Sequence, residues 1–141
     1  MNRRDAMKII GAAALATTLS ANENKDEYKN RLEMKPENPN KPQKSELKHM
    51  PQISLGKTDA KGYTDVTITV GQAGIIHPST QDHWIDFIEL YADGKRVGRN
   101  ELMPEISRGA TSYAVKLKGV KMLTAKAGCN LHGIWSSSIK L

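Results

Sequence analysis

Five candidate metal ligands lie in three short segments that are far apart in this 141-residue sequence. The four histidines and the one cysteine of the chain make up this set: His49, His77, His83, Cys129 and His132. Imidazole and thiolate groups favour transition metals, and five such donors leave one octahedral position open for a small molecule. All five can be assigned to a single site. We therefore expect a fold that brings three distant segments to one place.

The sequence beyond Lys44 lacks helical periodicity and has the pattern of β-strands. Residues 65–70 alternate polar and apolar with period two, and residues 84–91 are apolar on both faces, as in a central strand. The Asp93-Gly94 pair is a strong hairpin signal. Further strands are predicted near residues 95–97, 113–117, 123–127 and 134–141. Several short strands with frequent turns predict an all-β antiparallel sandwich, with the ligand segments in loops at one end.

The first 21 residues have the features of an export signal. The Arg3-Arg4 pair precedes a short apolar run over residues 9–19, and small residues follow it. This order predicts a signal peptide over residues 1–21, which would be the chain's one point of contact with a membrane. The paired arginines resemble the twin-arginine motif, which predicts export of the folded protein, to the periplasm. An uncleaved anchor or a buried helix is the alternative.

Residues 22–45 form a polar tract between this segment and the β-rich region. The tract is rich in Asn, Lys and Glu, and Pro36, Pro39 and Pro42 interrupt it. It has few large apolar residues, which predicts a disordered or extended N-terminal arm rather than part of the core. Wrapping around a neighbouring subunit is the alternative role. The metal-binding domain is then predicted over residues 46–141.

The formal net charge of +6 narrows the possible partners. Aromatic residues make up 5% of the chain and the lysines are scattered, so a stacking surface for single-stranded nucleic acid is not expected. A basic surface can attract a small anion, and simple solubility explains the charge equally well. One cysteine excludes an intramolecular disulfide and leaves a lone thiol that an exported protein must account for.

The number and spacing of the candidate ligands can be compared with those of copper and zinc sites. The Cys129-x-x-His132 spacing also occurs in blue copper sites, which use two histidines, a cysteine and a weak axial methionine. No methionine follows His132 in this sequence, and copper electron transfer needs no further histidines. Zinc favours four ligands in a closed tetrahedron, which five candidates exceed. Pro78 biases His77 towards an extended conformation that can aim it and His83 at one centre. For any single histidine, a surface or capping role is the alternative.

Three motifs resemble the iron superoxide reductases, also called neelaredoxins, and the iron domain of desulfoferrodoxin. They are Lys48-His49-Met50-Pro51, residues 77–90 (HPSTQDHWIDFIEL) and residues 129–135 (CNLHGIW). The resemblance runs from about residue 46 to the C-terminus. It implies an immunoglobulin-like β-sandwich. It is to the one-iron type, because the sequence shows no four-cysteine, rubredoxin-like centre before the first motif.

The resemblance also implies a cofactor and a reaction. The cofactor is one Fe²⁺/Fe³⁺ ion per chain, with the four histidines in a plane, Cys129 as axial ligand and superoxide received at the position trans to sulfur. The reaction is the one-electron reduction of superoxide to hydrogen peroxide, which protects against oxidative stress. Lys48 matches the family's lysine beside the first ligand. Its charge would attract superoxide and stabilise the negative charge that develops during reduction, so we predict a catalytic role for it.

The sequence departs from the family pattern directly before Lys48. The family commonly has a glutamate there that binds the oxidised iron, whereas this chain has Leu47, and the nearest acid is Glu46. Neighbouring residues of an extended segment point to opposite faces, so Glu46 is expected to need a bulge to reach the iron. Because some members lack this glutamate, the departure concerns the oxidised resting state and not the reaction.

The sequence does not identify the electron donor, which is expected to be a rubredoxin-like or periplasmic carrier. The resemblance also implies that the protein forms a homodimer or homotetramer. One competing function is an exported β-sandwich that binds a partner without catalysis, as proteins of the sulfur-carrier complex do. Another is a copper or iron electron carrier with no substrate at the open position.

Overall fold

The computed structural model describes residues 27–141, so the predicted signal peptide lies outside the described residues. This part of the chain is built almost entirely of strands. In chain order the elements are β1 (Glu33–Met34), α1 (Lys44–Leu47), β2 (Pro51–Thr58), β3 (Tyr63–Val70), β4 (Ile85–Ala92), β5 (Lys95–Glu101), β6 (Ala110–Lys116), β7 (Met122–Cys129) and β8 (Gly133–Lys140). No helix within residues 27–141 is long and apolar enough to span a membrane.

The strands form two sheets. One has five strands in the order β1-β8-β7-β4-β5, and the other has three in the order β2-β3-β6. The pairings are antiparallel except for β1, which lies parallel to β8. The predicted all-β antiparallel sandwich is therefore confirmed.

The core lies between the sheets and follows the predicted periodicity. In β3, Val66, Ile68 and Val70 are buried and alternate with more exposed residues. Strand β4 is buried on both faces from Ile85 to Leu90, as expected for a central strand. Complete burial of one such aliphatic side chain contributes about 1.5–3 kcal/mol. The alternation therefore fixes which face of each strand points inward and, with it, which way the adjoining loops leave the sheet.

The Asp93-Gly94 hairpin forms as predicted between β4 and β5. Both residues have positive φ, at 48° and 79°, which two-residue hairpin turns require. The Asp93 carboxylate also accepts hydrogen bonds from the backbone N–H groups of Lys121 and Met122. This turn thus ties the β6–β7 connection to the end of the sandwich that lies away from the candidate ligands.

Strand direction brings the ligand segments to the opposite end, which we call the ligand end. Strands β2, β4 and β8 begin there, and β3 and β7 finish there, as the pairs Pro51 with Val70, Ile85 with Cys129 and Cys129 with Gly133 show. The segments before β2, between β3 and β4, and between β7 and β8 therefore meet. These are the segments that carry the four histidines and the cysteine.

The part of the polar tract that leads into β1, residues 28–34, is extended and lies against the larger sheet, whereas residues 37–41 form bends and turns. The Lys29 N–H donates to the carbonyl of Asn130, and the Ile134 N–H donates to the carbonyl of Leu32, before β1 pairs with β8. Of the two conformations predicted for the arm, the extended one is therefore observed over these residues. The arm lies across the turn that joins β7 to β8.

One local expectation was wrong: the segment before His49 is helical and not extended. Helix α1 begins after Gln43, whose N–H donates to the Glu46 carboxylate at 2.7 Å. A Glu at the third helical position that bonds back to the N-cap N–H is one half of a capping box. The local hydrogen bonds of Gln43 and Glu46 thus override the extended conformation assumed from the neighbouring β pattern.

Candidate metal centre

Four of the five candidate ligands lie at or within two residues of a strand end, whereas His77 lies inside the connection from β3 to β4. His49 follows α1 and precedes β2, and His77 and His83 lie in the connection between β3 and β4. Cys129 is the last residue of β7. His132 lies in the tight turn to β8, which Gly133 closes with a φ of 85°. Since strands are the most rigid parts of the sandwich, their ends hold these side chains in a defined arrangement.

Four of the five donor atoms lie around one point. The Nδ1 atom of His132 is 3.1 Å from Nε2 of His49, 3.2 Å from Nε2 of His83 and 3.4 Å from Sγ of Cys129. All four donor atoms lie within 4.8 Å of one another. Two donors that bind one metal ion at about 2.1 Å and at right angles are roughly 3 Å apart. The observed spacing therefore fits a single ion.

The proton count also fits an ion better than hydrogen bonds. The Nδ1 atom of His49 is 2.6 Å from the carbonyl of Ser45, so it carries the proton and leaves a lone pair on Nε2. His132 Nδ1 faces this lone pair, the His83 nitrogen and the sulfur, yet it offers either one proton or one lone pair. A single nitrogen cannot form good hydrogen bonds with three neighbours at once, whereas one cation can bind all four atoms.

His77 lies beside this group, outside the set of four. Its ring centroid is 4.9 Å from that of His49 and 4.6 Å from that of His83. Its Nδ1 is 2.7 Å from the carbonyl of Pro78, which fixes the proton there. Its buried Nε2 has no hydrogen-bond partner among the described residues. An unpaired buried polar atom costs about 1–3 kcal/mol, so this lone pair is available to a fifth metal bond.

Burial keeps the four imidazoles in the neutral form that binds metals. It is the main reason why the pKa of His49 falls to about 4 and that of His77 to about 3. Burial also lowers the pKa of His83 and of His132. These histidines therefore offer lone pairs at neutral pH without competition from protons.

The thiol of Cys129 is subject to opposing influences. Burial raises its pKa, while hydrogen bonds from the backbone N–H groups of Leu131 and His132 lower it. A bound cation favours the thiolate further, because metal ligation deprotonates a coordinating thiol. Cys129 therefore fits the role of a thiolate ligand that exists as such when the metal is present.

Lys48 is the charged residue closest in sequence to the first ligand. It caps the C-terminal end of α1 and is half-buried. Burial is the largest cause of the pKa shift at each of the five ligands. The positive charge of Lys48 is a further cause, and it acts to lower the pKa of all four histidines and of Cys129. None of the ion pairs found within residues 27–141 includes its ammonium group. Lys48 thus supplies an uncompensated positive charge near all five candidate ligands.

Glu46 is engaged away from the ligands. One carboxylate oxygen accepts a hydrogen bond from the Glu37 N–H at 2.9 Å, and the other accepts from the Gln43 N–H at 2.7 Å. These two bonds hold the pKa of Glu46 below its ordinary value. Since backbone N–H groups of the arm and of the helix N-cap occupy both oxygens, Glu46 does not replace the family glutamate that is absent at Leu47.

Two residues that sequence reasoning left without a role support the ligands. The Trp135 ring stacks on His49 at a centroid distance of 5.5 Å, and its Nε1–H donates to the carbonyl of His132. The fully buried Asn130 side chain accepts from the Trp84 N–H and donates to the carbonyl of Asp82, on either side of His83. Both residues lie inside the motifs quoted above. A polar asparagine directly after a buried strand was the sequence feature that could have indicated the role of Asn130.

The centre lies at the surface of the molecule. His132 is exposed, while His49 and His77 are 3% and 1% exposed. A hollow of about 230 Å³ borders His49 and His132, with Asn30, Met34 and Trp135 in its wall. A small anion can therefore reach the candidate site from solvent without a large opening motion.

The sequence of this chain is similar to those of known proteins. The desulfoferrodoxin family model matches residues 40–138. The desulfoferrodoxin of Nitratidesulfovibrio vulgaris is 37% identical over 90 residues, which are 64% of this chain and 61% of that protein. The chain therefore spans less than two thirds of that relative. The superoxide reductase of Pyrococcus abyssi is 31% identical over 103 residues, which cover 67% of this chain and 87% of the relative.

Solved structures agree with this similarity. The one-iron superoxide reductase from Giardia intestinalis superposes with a TM-score of 0.57 at 31% identity, covering 67% of this chain and 98% of that chain. The superoxide reductase from Nanoarchaeum equitans gives a TM-score of 0.57 at 28% identity, with 67% and 94% coverage. The residues that the family model matches contain β2 to β7, most of β8 and all three ligand segments.

Proposed function

This chain belongs to the desulfoferrodoxin family, and we propose that it is a superoxide reductase, which reduces superoxide to hydrogen peroxide at one non-haem iron. Superoxide takes up one electron and two protons in this reaction. The observation that most supports the proposal is the cluster of three imidazole nitrogens and one cysteine sulfur around one point, with the unpartnered Nε2 of a fourth histidine beside it. A donor set of this kind suits a transition metal, and the family uses iron.

Five residues would hold the iron: His49, His77, His83, Cys129 and His132. When bound, the iron supplies the electron and an open position for a small anion. The Cys129 thiolate donates electron density to the metal, which is a known means of tuning the reactivity of iron. Backbone N–H groups of Leu131 and His132 bond to the sulfur and moderate this donation.

Lys48 acts on the substrate in this proposal. Its uncompensated charge attracts the superoxide anion and raises the rate of encounter. Reduction adds negative charge to the substrate, and a fixed cation nearby stabilises that charge. The ammonium group can also orient a water molecule that delivers one of the two protons. We therefore propose Lys48 as the catalytic residue among those that do not bind the metal.

The competing functions fit the geometry less well. A partner-binding sandwich without metal would leave His77 Nε2 buried and unpaired, and His132 Nδ1 facing three polar atoms of which it can bond well to only one. An electron carrier would need no access for a small anion, whereas a hollow borders His49 and His132. Binding of azide or cyanide to the metal separates this carrier from a reductase, because only an open position admits the anion.

The direct test combines metal analysis with product stoichiometry. The purified protein is expected to hold one iron per chain and, with a one-electron reductant present, to form one hydrogen peroxide per superoxide consumed. Dismutation would instead form one hydrogen peroxide per two superoxide ions and release oxygen. Folded protein that holds no iron, or that releases oxygen in this proportion, would contradict the proposal.

We further propose an organisation for the chain as a whole. Residues 1–21 direct export to the periplasm by the twin-arginine route, residues 22–45 form the arm and residues 46–141 form the iron-binding domain. The Arg3-Arg4 pair, the apolar run after it and the family match over residues 40–138 support this division. In a fusion of residues 1–25 to a reporter, export of folded reporter is expected, and retention inside the cell would contradict the route.

The electron donor follows from the same proposal. A one-electron carrier, rubredoxin-like or periplasmic, must return the iron to the ferrous state after each turnover. We also propose a homodimer or homotetramer, as the family resemblance implies. Light scattering of the purified protein measures the mass directly, and a monomer at all concentrations would refute the assembly without affecting the reaction.

A further inference from the structure

An ion pair joins the arm to the strand beside the metal centre. Both Nη atoms of Arg31 donate to the carboxylate of Asp86 in β4, at 2.8 and 2.9 Å. The side chain of Arg31 is 37% exposed and that of Asp86 is 8% exposed. A bidentate pair of this kind is planar and directional, and lysine does not reproduce its geometry. A nearly buried carboxylate thus obtains its countercharge from the N-terminal arm.

This pair lies directly behind Cys129. The Arg31 Nη1 atom is 3.4 Å from the Cys129 carbonyl oxygen, and Ile85, the neighbour of Asp86, pairs with Cys129 across the sheet. A change of charge at Arg31 or Asp86 is therefore felt at the thiolate.

Other contacts fix the arm at this place. The buried Asn130 amide donates to the Glu27 carbonyl at 2.8 Å, and the Lys29 N–H donates to the Asn130 carbonyl at 2.8 Å. The arm packs so closely on the turn that a Cβ atom at Gly133 would stand 2.7 Å from the Leu32 carbonyl oxygen. The arm therefore packs directly against the turn between β7 and β8, which carries His132.

We propose that Arg31 is a positioning residue for Cys129: by neutralising Asp86 and tying the Cys129 carbonyl to the arm, it sets the electron donation of the thiolate and the reduction potential of the iron. This inference rests on the proposed function, because it requires iron at the site. It gives the arm a role in the reaction in addition to packing.

The sign of the effect follows from electrostatics. A negative charge near the iron favours the ferric state, which carries more positive charge, and so lowers the reduction potential. Removing the charge of Arg31 leaves Asp86 uncompensated and should lower the potential. Removing the charge of Asp86 leaves Arg31 uncompensated and should raise it. Removing both charges should return the potential close to its original value.

The experiment uses the full chain, loaded with iron, and the variants Arg31→Met, Asp86→Asn and the double variant. Redox titration measures the potential, and the thiolate-to-ferric-iron absorption band gives an independent signal. Arg31→Met is expected to lower the potential and move the band to shorter wavelength. Asp86→Asn is expected to do the opposite, and the double variant to resemble the unmodified protein in both signals.

Two control variants separate charge from packing. Arg31→Lys keeps the charge but loses the bidentate geometry, so the potential should stay close to the original while the unfolding temperature falls. Arg99→Met removes a comparable arginine, whose side chain is 36% exposed, and which pairs at 2.7 Å with Glu89, itself 10% exposed. Arg99 also lies over the Phe87 ring, as Arg31 does. It should lower the unfolding temperature without moving the potential.

The outcomes are distinct. Equal shifts of potential in Arg31→Met and Arg99→Met, or no shift in Arg31→Met and Asp86→Asn while both bind iron, would overturn the proposal. If Arg31→Met fails to fold, Asp86→Asn and Arg31→Lys still decide it through the same two signals. An unmodified protein that binds no iron would refute the proposed function instead, so the two failures cannot be confused.

Discussion

The two ends of the sandwich treat their polar groups differently. At the end away from the ligands, Asp59 accepts hydrogen bonds from the backbone N–H groups of Lys61 and Tyr63, and Asp93 accepts from those of Lys121 and Met122. At the ligand end, imidazole nitrogens face one another and His77 Nε2 is buried without a partner among the described residues. At the first end, polar side chains pair with backbone N–H groups. At the ligand end, the nitrogen and sulfur atoms of the candidate ligands lie close together without enough hydrogen-bond partners.

This difference shows where stability was sacrificed for function. Turns that only connect strands gain from each satisfied N–H and carbonyl group, by about 0.5–1.5 kcal/mol per hydrogen bond. Unsatisfied groups persist where something else binds them, and here a metal ion is that ligand. Substitutions at the two ends test this contrast, and loss of the thiolate is expected to have the largest effect.

Cys129→Ser should abolish superoxide reduction and the thiolate-to-iron absorption band, because oxygen replaces the sulfur that donates electron density to the metal. The fold should be retained, because serine is nearly the same size as cysteine. Turnover assays and the visible spectrum measure the first effect, and circular dichroism measures the second. Retained colour and turnover would remove Cys129 from the site.

Loss of a residue that only hydrogen-bonds to a metal ligand typically lowers metal affinity by about 10–100-fold. Because His77 would bind the iron itself, His77→Leu should lower the iron affinity by more than that. In the metal-free protein the same change should alter the free energy of unfolding by less than about 1 kcal/mol, because removal of an unpaired buried nitrogen offsets loss of the Nδ1–H bond to the Pro78 carbonyl. Denaturant titration with and without iron measures both. A metal-free variant destabilised by about 3 kcal/mol or more would show that His77 has a structural role.

Lys48→Met should slow the encounter with superoxide by about tenfold at low ionic strength, because the steering charge is lost. The dependence of the rate on salt should flatten at the same time. Pulse radiolysis over a range of salt concentrations measures both. Lys61→Met, in a turn at the other end, is the matched control and should leave the rate unchanged. Equal slowing in both variants would point to net charge and not to Lys48.

Asp93→Ala should cost about 1–2 kcal/mol of unfolding free energy, because two backbone N–H groups lose their acceptor. Iron content and activity should not change, since this turn lies at the end away from the ligands. Asp93→Asn keeps an acceptor oxygen and tolerates the positive φ of 48°, so most of the stability should return. Loss of iron from Asp93→Ala would show that the two ends are coupled.

Much of this architecture was readable from local patterns. The alternation in β3, the double-sided burial of β4 and the Asp93-Gly94 turn each follow from a few neighbouring residues. The convergence of the ligand segments then follows from antiparallel pairing. Local pattern was sufficient wherever periodicity or turn chemistry decided the conformation.

The rest depended on contacts that sequence neighbours do not show. The Arg31–Asp86 pair joins residues 55 positions apart, and the Asn130 amide reaches the Glu27 carbonyl across 103 positions. Helix α1 was missed for a different reason. It has four residues, too few for periodicity, and depends on the Glu46 bond to the Gln43 N–H. Long-range polar pairs and very short helices therefore required the structure.

In the proposed centre, four imidazoles and one thiolate bind the same iron ion. X-ray absorption at the iron edge of the purified protein can show this, because the scattering shells report the number and type of ligand atoms. We expect four nitrogen donors and one sulfur donor around the iron, with the sulfur shell absent from Cys129→Ser. A spectrum of the unmodified protein without a sulfur shell, or dominated by oxygen donors, would contradict it.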